Sequence, residues 1–174
     1  NSAPESVVRL LDMGMDPFNF SDALLGVLAQ RLAKRLCGKC RERYEPDAAE
    51  IGHLLDEYCE DMHLTPAFSA DPERAREQVL ERWRAEFADK EGRFTLYRAV
   101  GCEHCTEGYK GRVGLHELML GSDAIKRLIQ ERGRVEQVLG QALAEGMRTL
   151  RQDGIEKILA GITDIRQVRK VCVR

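Results

Sequence analysis

Two Cys-x-x-Cys pairs, Cys37-Gly-Lys-Cys40 and Cys102-Glu-His-Cys105, stand sixty-one residues apart. They constrain the fold more than any other feature. Each pair lets two sulfurs reach one ion from a tight turn, and two such turns complete a tetrahedral shell of four sulfurs around zinc. The chain must therefore bring residues 37–40 and 102–105 together. Four protein ligands leave no open position for water, so a zinc ion held by Cys37, Cys40, Cys102 and Cys105 is expected to be structural and not catalytic. The long spacer is a weak objection, because doubling a flexible loop costs only about 0.6 kcal/mol. Structural zinc contributes on the order of 10–16 kcal/mol in small peptides.

Other readings of the pairs carry less weight. Dithiol redox chemistry favours a thiol at a helix N-terminus, whereas Cys37 is expected to follow a helix C-terminus. Two disulfides would need an oxidising compartment and are not expected, since no export signal appears in this sequence. A coincidental pairing is the remaining alternative. Of the other two cysteines, Cys59 falls on an apolar helical stripe and is expected to be a small buried hydrophobe. Cys172 is assigned no role. His104 could replace one ligand, but four cysteines already satisfy the ion. His116, next to Glu117 on an expected strand, reads as a packed or surface histidine, and His53 and His63 as solvent-facing.

The 174 residues suit one domain, or one domain with a lobe. No apolar run approaches the ~20 residues that span a bilayer. The net charge of −2 does not point to nucleic acid. Its distribution is uneven: residues 45–91 hold fourteen acidic and five basic residues, a net of −9, which leaves +7 for the rest. The cations beside the cysteines (Lys34, Arg35, Lys39, Arg41, Arg43, Lys110, Arg112) would help to neutralise the −2 charge of a zinc tetrathiolate. The chain opens on Asn1 and not methionine, and is expected to be a piece of a longer protein.

Apolar periodicity predicts mainly helices with a small β element. A first helix is expected over 4–13, ended by Met13-Gly14. After the connector Asp16-Pro17-Phe18-Asn19, Leu24, Val27, Leu28, Arg31, Leu32 and Leu36 recur at helical spacing. They predict a second helix over about 20–35, capped by Ser21 or Asn19. Ile51, Leu54, Leu55, Tyr58, Cys59 and Met62 mark a helix over 47–62. Asp71-Pro72 opens another, with Val79, Leu80, Trp83 and Phe87 as its stripe. These two are expected to pack on each other as a hairpin lobe. Strands are expected over 94–100 and 112–120. From Ser122 onward the pattern is helical, with Thr163 capping the last helix. Gly108-Tyr109-Lys110-Gly111-Arg112 is glycine-rich and basic, but its place between a cysteine pair and a strand reads as a turn and not a phosphate loop.

No Gly-x-x-x-x-Gly-Lys-Ser/Thr loop occurs, nor Gly-x-Ser-x-Gly, nor His-Glu-x-x-His. The sequence instead resembles the C-terminal portion of the secretion-type ATPases that power type II secretion and type IV pilus assembly in bacteria. The matching stretches begin with Asn1-Ser2-Ala3-Pro4-Glu5, Arg9 to Gly14, Leu25 to Leu32 and Arg35-Leu36-Cys37. Cys102 to Cys105, Gly108 to Arg112 and His116-Glu117-Leu118 follow. Gly146 to Leu150, Asp153-Gly154 and Gly161-Ile162-Thr163 complete the set. The stretch over about 46–92 is longer than the family's usual segment.

The resemblance implies three parts. Residues 1–36 would end a RecA-like α/β motor domain. Residues 37–120 would form the tetracysteine zinc subdomain with an acidic helical insertion at 46–92, and 121–174 a C-terminal helical bundle. The phosphate loop, acidic boxes and histidine box would lie upstream, so this segment would not hydrolyse ATP alone; ATP and Mg²⁺ would belong to the full-length protein. That protein would be a cytoplasmic hexamer, peripheral to the inner membrane, docked on inner-membrane platform proteins without inserting into the membrane. Gln30 and Arg31 match a motor motif, and a packing role is favoured over a nucleotide or subunit contact. The alternative is an independent zinc-binding module that contacts protein or nucleic acid.

Overall fold

The computed structural model describes residues 2–173; Asn1, the first residue of the matching motif, lies outside them. Helices dominate, with two small antiparallel sheets. The elements are α1 (Ala3–Asp12), α2 (Pro17–Ala23), β1 (Gly26–Leu36), β2 (Glu42–Tyr44), α3 (Ala48–Cys59), α4 (Pro66–Ala70), α5 (Pro72–Phe87), β3 (Leu96–Arg98), β4 (Tyr109–Leu120), α6 (Asp123–Gln130), α7 (Val135–Ala144), α8 (Leu150–Leu159) and α9 (Ile165–Val171).

Local signals place most helices. Ser2 and Glu5 form a capping box on α1, Asp47 caps α3, Asp71 caps α5 with Pro72 in its first turn, and Ser122 caps α6. Two expected caps move. α2 starts at Pro17, and Asp16 accepts the Asn19 amide at 2.8 Å; Ser21 is buried inside the helix and Asn19 is no cap. Asp164, not Thr163, caps α9, because the Thr163 hydroxyl donates to the Lys34 carbonyl across the molecule.

The largest departure is the helix expected over 20–35. It stops at Ala23, and residues 26–36 form β1, paired antiparallel with β4 from Gly26↔Leu120 to Lys34↔Arg112. The residues that looked helical alternate between the two faces of this ribbon, Val27 and Arg31 inward and Leu28 and Leu32 outward. Ala33, Leu115, Glu117 and Met119 are buried on the inner face, while Leu28, Leu32, Leu118 and Leu120 are exposed on the outer one. A two-residue period fits the segment once a partner strand satisfies its backbone.

Two apolar cores lie against the inner face of the ribbon. In one, Ala3, Val7 and Leu11 of α1 meet Leu24, Met119, Ile125, Ile129, Val138 and Ala142. In the other, α3 and Trp83 of α5 join Ala33 and Leu115 of the ribbon and Ile155, Ile158, Leu159 and Val168 of α8 and α9. The hairpin of α3 and α5 does form, with Tyr58 edge-on to Trp83 at 5.2 Å. Its apolar side is part of this second core. Glu156 of α8 receives Arg82 at 3.1 Å, Tyr58 at 2.9 Å and Arg148 at 3.0 Å.

One buried carboxylate joins the two halves. Glu117 accepts the amide of Ala3 at 2.7 Å and that of Leu150 at 3.1 Å, the first residues of α1 and α8. Those N–H groups have no partner within their own helices, and helix N-termini favour negative charge. Burial pushes the Glu117 carboxyl above its ordinary value, against the pull of the two amides.

Two outcomes test this packing. Trp83 is fully buried, yet its Nε1 has no acceptor among the described residues. Trp83→Ala should therefore cost about 3–5 kcal/mol in urea unfolding, and Trp83→Phe clearly less, since it removes an unsatisfied donor and keeps a ring. Glu117→Gln leaves one helix-start amide facing an NH₂ group and should lower stability by about 1–3 kcal/mol in the same assay.

Candidate metal centre

The centre lies at one end of the ribbon. β1 leads directly into Cys37, whose amide donates to the Gly108 carbonyl at 2.9 Å. The chain then turns back, with the Arg41 amide on the Cys37 carbonyl at 3.0 Å. The second pair sits on a similar turn, closed by the Cys105 amide on the Cys102 carbonyl at 3.2 Å. Next, Thr106 and Tyr109 exchange amide–carbonyl bonds around Glu107 and Gly108, with φ of 53° and 88°. Positive φ at both central residues marks the tight hairpin turn that leads into β4. Gly108 is also sterically required, since a Cβ there would lie 2.6 Å from that of Ala99. Only Glu107 and Gly108 are the turn's centre; Tyr109 to Arg112, expected to belong to the turn, are already strand.

The four sulfurs converge. Cys37 Sγ lies 3.9 Å from that of Cys102, Cys40 Sγ 3.7 Å from that of Cys105, and Cys102 Sγ 3.7 Å from that of Cys105. All four lie within 4.8 Å of one another, and this is the one such ligand group among the described residues. A disulfide needs sulfurs about 2.05 Å apart. A tetrahedron of thiolates around zinc, at about 2.3 Å per bond, has edges of about 3.8 Å. The arrangement fits a metal ion and not a pair of disulfides.

Backbone amides prepare the sulfurs for charge. The Gly101 amide donates to Cys40 Sγ and the Cys102 amide to Cys105 Sγ, both at 3.3 Å. Amides of Lys39 and Cys40 on the Cys37 sulfur, against burial, bring its thiol down to about 7. At Cys40 the Gly101 amide pulls down, but burial and the neighbouring thiols outweigh it and the thiol is pushed up to about 12. Four crowded thiols cannot all ionise unaided, and a bound cation would supply the missing charge.

The expected helix before Cys37 is a strand, so the helix-dipole argument against redox chemistry does not hold. Its replacement is geometric: sulfurs of each motif face sulfurs of the other. His104 Nε2 lies 3.3 Å from Glu103 Oε1, outside the sulfur cluster. His53, His63 and His116 are exposed, and the His116 amide donates to Asp153 at 2.8 Å. Cys59 and Cys172 are buried, and burial raises both thiols, Cys59 to about 11. Gln30 is exposed, opposite His116. Arg31 donates to the Gln30 carbonyl and lines an open cleft of about 470 Å³ with Glu117, Arg151 and Cys172.

Arg41 does more than balance charge: its guanidinium lies 4.1 Å over the Tyr97 ring and donates to the Gly161 carbonyl at 2.5 Å. Neither this contact nor the Glu117 clamp was read from the sequence. The available signals were the motifs that contain them, Gly161-Ile162-Thr163 and His116-Glu117-Leu118.

With this geometry in view, the relatives place the chain. The profile of the family described as "Type II/IV secretion system protein" matches residues 1–170. The chain belongs to that family. It is 36% identical over 171 residues to the type IV pilus assembly ATPase PilB of Pseudomonas aeruginosa, covering 98% of this chain and 25% of that protein. It is 36% identical over 172 residues to the type II secretion system ATPase E of Vibrio cholerae, covering 98% and 28%. With PilB of Thermus thermophilus it shares 36% over 169 residues, covering 97% and 16%. The chain thus spans between 16% and 28% of the length of these relatives. No described helix is long and apolar enough to cross a membrane.

The sulfur cluster predicts about one tightly bound metal ion per chain in elemental analysis of the purified protein. Cys102→Ser should lose that ion and unfold at lower denaturant. Metal retained at full stoichiometry would show that these four sulfurs are not the site.

Proposed function

We propose that this chain is the zinc-bearing, non-catalytic C-terminal part of a hexameric ATPase that powers type II protein secretion or type IV pilus assembly. The observation that carries the reading is the four-sulfur cluster, set in a chain of this family with no phosphate-binding loop. Zinc is the ion that four thiolates with edges near 3.8 Å suit best. Bound there, it would crosslink the two knuckles and supply positive charge to the thiolates, and no ligand position would remain for a reacting water. Cys37, Cys40, Cys102 and Cys105 would hold it.

Within the longer protein, residues 1–36 would close a RecA-like motor domain. Residues 37–120 would carry the zinc subdomain with its 46–92 insertion, and 121–174 the C-terminal helices. The pairing of β1 with β4 makes the first two parts continuous. The outer face of the ribbon supports such a junction: Leu120 is 63% exposed, Leu28 58%, Leu118 52% and Leu32 50%. A row of leucines of this size is suited to cover by another part of a large protein. ATP and Mg²⁺ would bind upstream, in the cytoplasm, and platform proteins at the inner membrane would receive the movement.

The purified chain should show no ATP hydrolysis above a protein-free blank, while the longer protein hydrolyses ATP. Turnover by this chain, abolished when the protein is removed, would overturn the non-catalytic reading.

A further inference from the structure

The turn between α8 and α9 is built into the cysteine end of the ribbon. The register of β1 against β4 shifts between Lys34 and Leu36, a bulge that turns backbone groups away from the ladder. The α8–α9 turn takes two of them. The Leu36 amide donates to the Ile162 carbonyl at 2.9 Å, and Thr163 Oγ1 donates to the Lys34 carbonyl at 2.8 Å. Tyr109 donates its hydroxyl to Asp164 Oδ2 at 2.5 Å, while Asp164 Oδ1 caps α9 through the Gln167 amide at 3.0 Å. Arg41, stacked on Tyr97, holds the Gly161 carbonyl.

The partners of this turn are close to the ligands in sequence. Leu36 precedes Cys37, Arg41 follows Cys40, and Tyr109 is four residues beyond Cys105. Gly161, with φ of 78°, fits because a Cβ there would lie 2.8 Å from the Tyr97 ring. Thr163 is nearly fully buried and Gly161 is buried. The turn therefore reads the relative placement of three strand ends (Lys34–Arg41, Tyr97 and Tyr109), and the four sulfurs set that same placement.

We propose that the cysteine centre is a latch for the C-terminal helices: metal binding fixes the strand ends that the Gly161–Asp164 turn grips, so that metal loading and docking of α8–α9 are coupled. This rests on the reading that a metal occupies the four sulfurs. Coupling is reciprocal, so loosening the turn must also weaken metal retention.

The test uses the purified chain with zinc. Metal content is measured first, and a value near zero overturns both the metal reading and the latch. With about one zinc bound, amide hydrogen exchange is followed before and after chelation. Amides of Leu36 and of residues 161–168 should exchange faster by a factor in the range of about 5–150, a typical span for coupled sites. Those of α6 and α7, in the other core, should keep their protection. In parallel, Thr163→Val, which leaves all four cysteines in place, should speed zinc release to a chromogenic chelator several-fold, and Thr163→Ser should restore the slow rate. Loss of zinc with unchanged exchange at 161–168, or an equal loss of protection throughout the chain, overturns the latch. So does a Thr163→Val variant that releases zinc at the wild-type rate.

Discussion

The antiparallel pairing of β1 with β4 is the interaction on which the rest of the molecule depends. It sets Cys37 beside the turn that follows Cys105, through the Cys37 amide on the Gly108 carbonyl, and so brings sulfurs from two distant motifs to 3.7–3.9 Å. The same register points Leu115, Glu117 and Met119 inward. Leu115 then belongs to the core with α3, α8 and α9, and Met119 to the core with α1, α6 and α7. Glu117 ties the starts of α1 and α8 between them. Because side chains alternate along a strand, a slip of one residue would turn Glu117 and the core residues outward together.

The insertion between the cysteine pairs takes on a different meaning in this setting. It carries a net charge of −9 over residues 45–91, yet its apolar stripe is in the common core. Much of its charge is used locally: Asp56 pairs with Arg76, Glu57 with Arg169, Glu60 with Arg151, and Arg82 with Glu156. Several of these pairs cross from the insertion to α8 or α9. Exposed pairs contribute little individually, and the larger contribution comes from burial of Ile51, Leu54, Leu55, Tyr58 and Trp83. The segment that separates the cysteine pairs in sequence thus packs against the same helices that reach back to the cysteine end of the ribbon.

How much could be read in advance depended on the range of the forces involved. Helix starts at Asp47, Asp71-Pro72 and Ser122 were legible because a cap and its amide are three residues apart. The cysteine cluster was legible because thiol pairs at this spacing carry their own chemistry. The strand at 26–36 reads as a helix in sequence because Val27, Leu28, Arg31 and Leu32 satisfy a helical period as well as they fill two faces of a ribbon. That ambiguity arises where both faces carry apolar side chains. Nothing local to Glu117 announces that two helix N-termini converge on it. Thr163 looked like a cap because Thr often is one; a backbone carbonyl 129 residues away in sequence claimed its hydroxyl instead.

By itself, then, the sequence determined the family, the helix boundaries marked by local caps, and the four residues suited to bind one ion, since these depend on residue chemistry and spacing along the chain. Tertiary structure alone decided that residues 26–36 are a strand and that the insertion joins the core. It also decided that Glu117 bridges two helices and that the Gly161–Asp164 turn grips the cysteine end. Each of these rests on hydrogen bonds and burial between residues far apart in sequence, and such contacts exist only once β1 and β4 have paired.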